Sequence, residues 1–315
     1  MLTLTYYITR FQKLKTASVD KIKAPHKPVL LLSIIQSIEH NEILENKIYI
    51  TPQLVARFKD NWHHLVHSSK FTANFSLPFF HLRSENFWFL KTLPGRELLL
   101  TSSGSIRSFS HLKEVVEYAY FDPNLFMLLK DWATREELKN ILLKHYFHIH
   151  SYVFSDQLSL VAEIENEMLH EPAAVYKRQA QTFDDEEVFI RCGVFKKLVP
   201  QIYNYTCCIS GMRIIASREI QMIDACHIVP FSESHDDTIS NGLSLCPNLH
   251  RAFDRGLISI NSDYRVIIST SFEEQSADYS IKQFEHKEIF LPKNKSQIPS
   301  LVNLDWHFKN TFVHP

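Results

Sequence analysis

No apolar run in this chain is long enough to cross a membrane, which excludes a helical membrane span. The opening residues, MLTLTYYITRFQKLK, lack the basic-then-apolar order of a secretory signal, so a cytoplasmic protein is expected. Cysteine is sparse. Its five positions, Cys192, Cys207, Cys208, Cys226 and Cys246, are odd in number and without framework spacing, so reduced thiols are expected. No Cys-x-x-Cys pair occurs, and there is no internal repeat or low-complexity tract. Charge of one sign is missing too. With a formal net charge of -1, overall charge gives no argument for a nucleic-acid partner.

What is present points to two domains and an α+β fold class. A chain of 315 residues can bury a substantial core. Residues 10 to 28, RFQKLKTASVDKIKAPHKP, carry six Lys/Arg against one Asp, a local footprint for phosphates or a solvated basic face. HKPVLLLSIIQSIEHNEIL reads as a helix with Pro28 in its first turn. FSLPFFHLRSENFWFLKTL reads as two short aromatic strands around an RSEN turn. HLKEVVEYAY and DPNLFMLLKDWATREELKNILLKHYF carry helical periodicity, the second opening at Asp122-Pro123. Residues 1–155 therefore read as one mixed helix/strand domain, 156–190 as a polar helical connection, and 191–315 as a second domain. In the latter, LISINSDYRVIIS predicts a hairpin turning at NSD, and LPKNKSQIPSLVNLDWHF an extended tail packed back on its own domain.

The stretch DACHIVPFSESHDDTISNGLSLCPNLHRAFDRG concentrates the chemistry. A structural zinc site draws its ligands from two spaced pairs. Here Cys226 and His227 are adjacent, and adjacent side chains on a strand point to opposite faces. The alternative is a strand ending at His227, a polar loop, Asn241-Gly242 and a short apolar strand, then a helix with Pro247 in its first turn and Gly256 as its stop. Strand, loop, strand and helix can hold a divalent cation beside a histidine base, as phosphodiester hydrolysis requires.

On these residues the stretch resembles the HNH endonuclease family, with its ββα-metal fold, in the subgroup of McrA-like type IV restriction enzymes. The resemblance runs from about Tyr205 to Ser269, and IFLP with LDWHF is similar to the tail that follows in that subgroup. It implies that His227 is the general base, that Asn241 positions the loop, and that His250 binds Mg²⁺ or Mn²⁺. Many members place an acidic metal ligand immediately before the base. Here Cys226 stands there, and the acid is Asp224, three residues before His227, with Asp254 as the alternative; a capping or hydrogen-bonding role for either acid stays open.

The first domain resembles the sulfur-binding domain of phosphorothioate-dependent McrA-type enzymes across most of residues 10 to 150, through APHKPVLLLSII, LPFFHLRSENFWFL and LFMLLKDWATREELKNILLKHYF. The resemblance implies contacts to modified double-stranded DNA by His26, Lys27, Leu77, Pro78, His81 and Arg83. His26 and Lys27 would sit at a helix N-terminus, which favours an anion. Sulfur is larger, softer and less hydrated than oxygen, so an apolar notch beside a cationic clamp would select it. Leu77 replaces the family's aromatic lip residue, and His81 stands where a small residue would leave room for sulfur. Phe79 and Phe80 read as core. The expectation is a modification-dependent restriction endonuclease acting in phage defence. Alternatives are an HNH nuclease for unmodified or differently modified DNA, and a DNA-binding module with a degenerate nuclease half. Two nicks on opposite strands need two active sites or one working twice, and the first implies a homodimer.

Overall fold

The structure is a computed structural model, describing residues 3–97, 106, 108–149, 158–170, 183–216, 221–275 and 279–314. The chain divides into two compact units, 1–162 and 163–315. Residues 156, 157 and 171–182 of the expected connection lie outside the described residues. Both units mix helices with two-stranded sheets, so the α+β expectation holds.

In the first unit, α1 (Leu4–Gln12) leads to a short hairpin of β1 (Ser18–Val19) and β2 (Ile22–Lys23), then to α2 (His26–Glu39). Helix α2 is buried all round from Lys27 to Ile38, as a helix with apolar residues on every side must be. Against it pack α3 (Pro52–Leu65) and α4 (Ser76–His81). Then come β3 (Trp88–Thr92), α5 (Phe109–Val115), β4 (Val116–Phe121), α6 (Pro123–Lys130) and α7 (Trp132–Phe147), with β3 and β4 antiparallel. Asp122 caps α6 through the Asn124 amide, as the Asp-Pro pair predicts.

Two expectations are corrected here. The segment read as a first aromatic strand is α4, followed by a 3₁₀ turn at Leu82–Ser84. Phe75, Phe79, Phe80 and Leu82 are all fully buried, and the separation of Phe75 from Phe79 is one helical turn. The helical reading of HLKEVVEYAY holds only to Val115, after which β-branched and aromatic residues carry β4 along β3.

The second unit begins within α8 (Ser159–His170), followed by α9 (Asp185–Ile202). Asp184 caps α9 and three acidic residues fill its first turn, where the helix dipole favours them. Strand β5 (Asp224–His227), the single turn α10 (Phe231–Ser234), β6 (Gly242–Leu245) and α11 (Pro247–Asp254) follow, with α9 packed on both strands. Cys226 pairs with Leu243 and His227 with Gly242. Gly256, at φ +67°, ends α11; a Cβ there would lie 2.0 Å from the Thr311 carbonyl oxygen. The hairpin of β7 (Ile258–Ile260) and β8 (Val266–Ile268) forms as expected. The tail is not extended throughout: residues Leu301–Asn310 form α12, packed on β7. Its buried positions Asn303, Leu304 and His307 have helical spacing, but two are polar, so the apolar period is hidden. Among the described residues no helix is long and apolar enough to cross a membrane.

Candidate active site and a second cavity

Strand β5 alternates its side chains, and that alternation sorts the site. His227 turns to one face, where its ring stacks on Phe195 of α9 at 3.9 Å between centroids and 4° between planes. Its Nε2 lies 3.0 Å from Oδ1 of Asp237, a carboxylate with 1% side-chain exposure. Asp224 and Cys226 share the other face, toward α11.

Asn241 is completely buried and its amide is fully used. Oδ1 accepts from the Val229 N–H at 2.9 Å and from Asn303 Nδ2 at 2.9 Å. Nδ2 donates to the carbonyls of Val229 and Asp236, each at 2.9 Å. An amide whose donors and acceptor are all satisfied inside the protein fixes loop geometry and has nothing left for a substrate.

His250 sits between two acids. Its Nδ1 is 3.3 Å from Asp224 Oδ2 and its Nε2 is 3.4 Å from Asp254 Oδ2. Among the described residues, Cys226, His250 and Asp254 offer three ligand atoms within 4.8 Å of one another. Asp224, the acid first expected to share a metal with His250, faces the other ring nitrogen. Hard cations such as Mg²⁺ and Mn²⁺ prefer oxygen with some imidazole over thiol. Burial and the nearby Asp254 push the Cys226 thiol well above its usual range, and it donates to Asp254 Oδ1 at 3.6 Å. The donor set that fits such a cation is therefore His250 and Asp254, with Asp224 holding the far side of the ring.

His227, His250 and Asp254 line one cavity of about 450 Å³, with Cys192 and Lys196 of α9, Phe231 of α10 and His307 of α12. Phe195, Lys196 and Asp237 were not found from sequence. Phe195 and Lys196 arrive on a helix remote from the motif, and Asp237 is one acid of a polar loop that offers no periodicity. His307 stacks on Phe253 at 3.7 Å, and burial lowers its pKa to about 4. Cys207, Cys208, Cys226 and Cys246 are buried free thiols, in line with the reduced thiols expected.

A second cavity, also about 450 Å³, lies in the first unit. Its lining includes five of the six residues expected to contact DNA: His26 and Lys27 from the start of α2, and Leu77, Pro78 and His81 from α4. Arg83 is outside the lining and lies over the Phe80 ring at 3.9 Å. Lys27, placed at the start of α2 as expected, is already paired. Its Nζ is buried, 2.6 Å from Glu85 Oε1 and 2.8 Å from Ser84 Oγ. Helix α2 is sunk in the core, where an ammonium needs a partner carboxylate. His26 bonds through Nε2 to the Thr72 carbonyl at 3.0 Å, and burial lowers its pKa. His81 is held below its ordinary pKa by burial and by Lys27 and Arg83. Phe79 and Phe80 are core residues, as expected.

Residues 207–261 match the family model described as HNH endonuclease. Among solved structures, the chain is similar to a modification dependent TagI restriction endonuclease at 24% identity, over 36% of this chain and 35% of that one, with a TM-score of 0.27. It is also similar to the type IV phosphorothioation-dependent restriction endonuclease ScoMcrA at 9% identity, over 78% of this chain and 94% of that one, with a TM-score of 0.33. The chain thus spans about a third of the length of the TagI enzyme. Comparison with curated proteins gives no match. With β5, the Asn241 loop, β6 and α11 in place, residues 207–261 form an HNH endonuclease-family domain.

Proposed function

We propose that the whole chain is a modification-dependent DNA endonuclease, in which the first unit binds marked duplex and the HNH domain hydrolyses a phosphodiester bond. The observation that carries the nuclease half is the shared cavity of His227, His250 and Asp254. His227 takes the proton of the attacking water, a role suited to an imidazole near neutral pH. Asn241 keeps that ring and its loop in place. His250 and Asp254 would hold Mg²⁺ or Mn²⁺, whose charge offsets the negative charge building on the phosphate and leaving oxygen. Asp224 orients His250 from Nδ1.

For the recognition half, the support is the convergence of His26, Lys27, Leu77, Pro78 and His81 on one cavity. The mark we assign to it is a phosphorothioate, whose sulfur gains from the Leu77 and Pro78 wall. A specific observation favours a second reading, a different mark or unmodified DNA: Lys27, beside the cavity wall, is already paired with Glu85.

The test is cleavage of matched plasmids, phosphorothioated and plain, with Mg²⁺ or Mn²⁺, by wild type and His227→Ala. Cutting of the modified plasmid alone, lost in the variant by about 10²- to 10⁴-fold or more, is expected. Equal cutting of both plasmids would leave the nuclease and discard the phosphorothioate. No cutting of any DNA, with DNA binding retained, would favour a degenerate nuclease half.

A further inference from the structure

We propose that Asp237 is a positioning residue for the base, fixing the His227 tautomer so that Nδ1, and not Nε2, receives the proton from water. The inference rests on the endonuclease reading and goes beyond it, because neither the motif nor its expected roles include Asp237. An ionised carboxylate accepts hydrogen bonds and donates none. The 3.0 Å contact between Nε2 and Asp237 Oδ1 therefore places the ring proton on Nε2. Nδ1 makes no hydrogen bond to any described residue, and the ring keeps 19% of its side-chain surface open while lining the cavity.

Three further contacts hold this arrangement. The parallel Phe195 ring at 3.9 Å blocks one face of the imidazole and fixes its plane. Asn241 ties the carbonyl of Asp236, the residue before Asp237, to the N–H and carbonyl of Val229, two residues after His227. The buried amide thus sets the spacing between the two partners of the dyad. Asp236 Oδ1 in turn accepts from the Thr238 N–H at 2.9 Å and hydroxyl at 2.6 Å, shaping the turn that aims Asp237. In the reaction the water oxygen bonds to phosphorus as its proton passes to Nδ1. The bond from phosphorus to the leaving oxygen breaks, and that oxygen is protonated from solvent. The imidazolium so formed carries both protons, with the Asp237 carboxylate beside the one on Nε2.

The experiment uses the full chain with ¹⁵N-labelled histidine. The His227 signals are identified by their loss in His227→Gln. The wild type is expected to show a protonated Nε2 and an unprotonated Nδ1 at a pH where the ring is neutral, and Asp237→Ala to show a mixture of tautomers. In cleavage assays, Asp237→Asn and Asp237→Ala are expected to lower kcat by at least about 10-fold while KM stays within about 2-fold. A wild-type proton on Nδ1 would overturn the proposal, as would folded variants that keep wild-type kcat. Should Asp237→Ala fail to fold, Asp237→Asn and the wild-type tautomer decide. Should wild type cleave no DNA at all, the endonuclease reading fails separately, and the tautomer still tests the Asp237 assignment.

Discussion

Asn303 on α12 donates from Nδ2 to Oδ1 of Asn241, 2.9 Å away and 62 positions earlier in the chain. Helix α12 therefore reaches the amide at the centre of the HNH loop, and its packing on β7 is joined to the site by a buried hydrogen bond. Asn303→Ala removes one of two donors to Asn241 Oδ1 and leaves the Val229 N–H as the other. The expected cost is about 1 kcal/mol in stability, with a fall in kcat smaller than that of His227→Ala. Thermal melts and single-turnover cleavage check both. An unchanged melt and rate would mean that the contact does not support the loop.

Gly242 leaves room for the ring that flanks His227. A Cβ at this position would meet Val199 Cγ2 at 2.7 Å and Phe195 Cζ at 3.1 Å. Since Phe195 stacks on His227, Gly242→Ala is expected to push that ring as well as the core, at about 1–3 kcal/mol in stability. Cleavage should fall even where the variant is fully folded. Chemical denaturation beside kcat at a temperature well below the transition separates the two effects.

The two acids around His250 should not behave alike. Asp254→Ala removes a carboxylate from the group with His250, and Mn²⁺ affinity measured by calorimetry is expected to fall most in this variant. Asp224→Ala loses only the contact to Nδ1, for an expected 10- to 100-fold weakening, about the usual effect of a partner behind a ligand. Cys226→Ala should leave affinity within a few-fold of wild type, because the protonated thiol serves as a donor, within reach of Asp254 Oδ1 and the His227 carbonyl. A larger loss in Cys226→Ala than in Asp254→Ala would reverse the assignment.

His307 predicts a dependence of stability on pH. Its ring is buried against Phe253, with Nδ1 3.0 Å from Ser259 Oγ and Nε2 3.0 Å from the Phe253 carbonyl oxygen. The folded pKa is about 4, against 6.5 for the ordinary imidazole. Above pH 6.5 the ring is neutral in both states and its contribution is fully present. As pH falls from 6.5 through 4, the unfolded chain binds a proton that the folded chain refuses, and about 3 kcal/mol of stability is lost. Denaturation across this range should show a slope that flattens in His307→Asn.

Much of the nuclease half was legible because its signals are local. Pro247 and Gly256 bracket α11, Asn241-Gly242 leads into β6, and the stretch ending at His227 reads as the strand β5. Those elements fix where His227, Asn241 and His250 lie, and the structure brings the two histidines to one cavity. Residues that act across long separations were not legible. Asp237 and Asp236 are neighbouring acids in one loop, and only folding directs the first to His227. In the first unit, the aromatic run around Phe79 suits a strand by composition, and only its burial in register with Phe75 makes it a helix. The pairing of Lys27 was hidden because its partner, Glu85, is 58 residues away.

That buried Lys27–Glu85 pair also bears on how ionic strength would act on DNA binding. A lysine already neutralised from within displaces no condensed counterion when a phosphate approaches. The wall of the first cavity would then discriminate between marks by shape and polarisability, and that discrimination would persist as salt is raised. The salt-sensitive share of affinity would come from the exposed cations outside it.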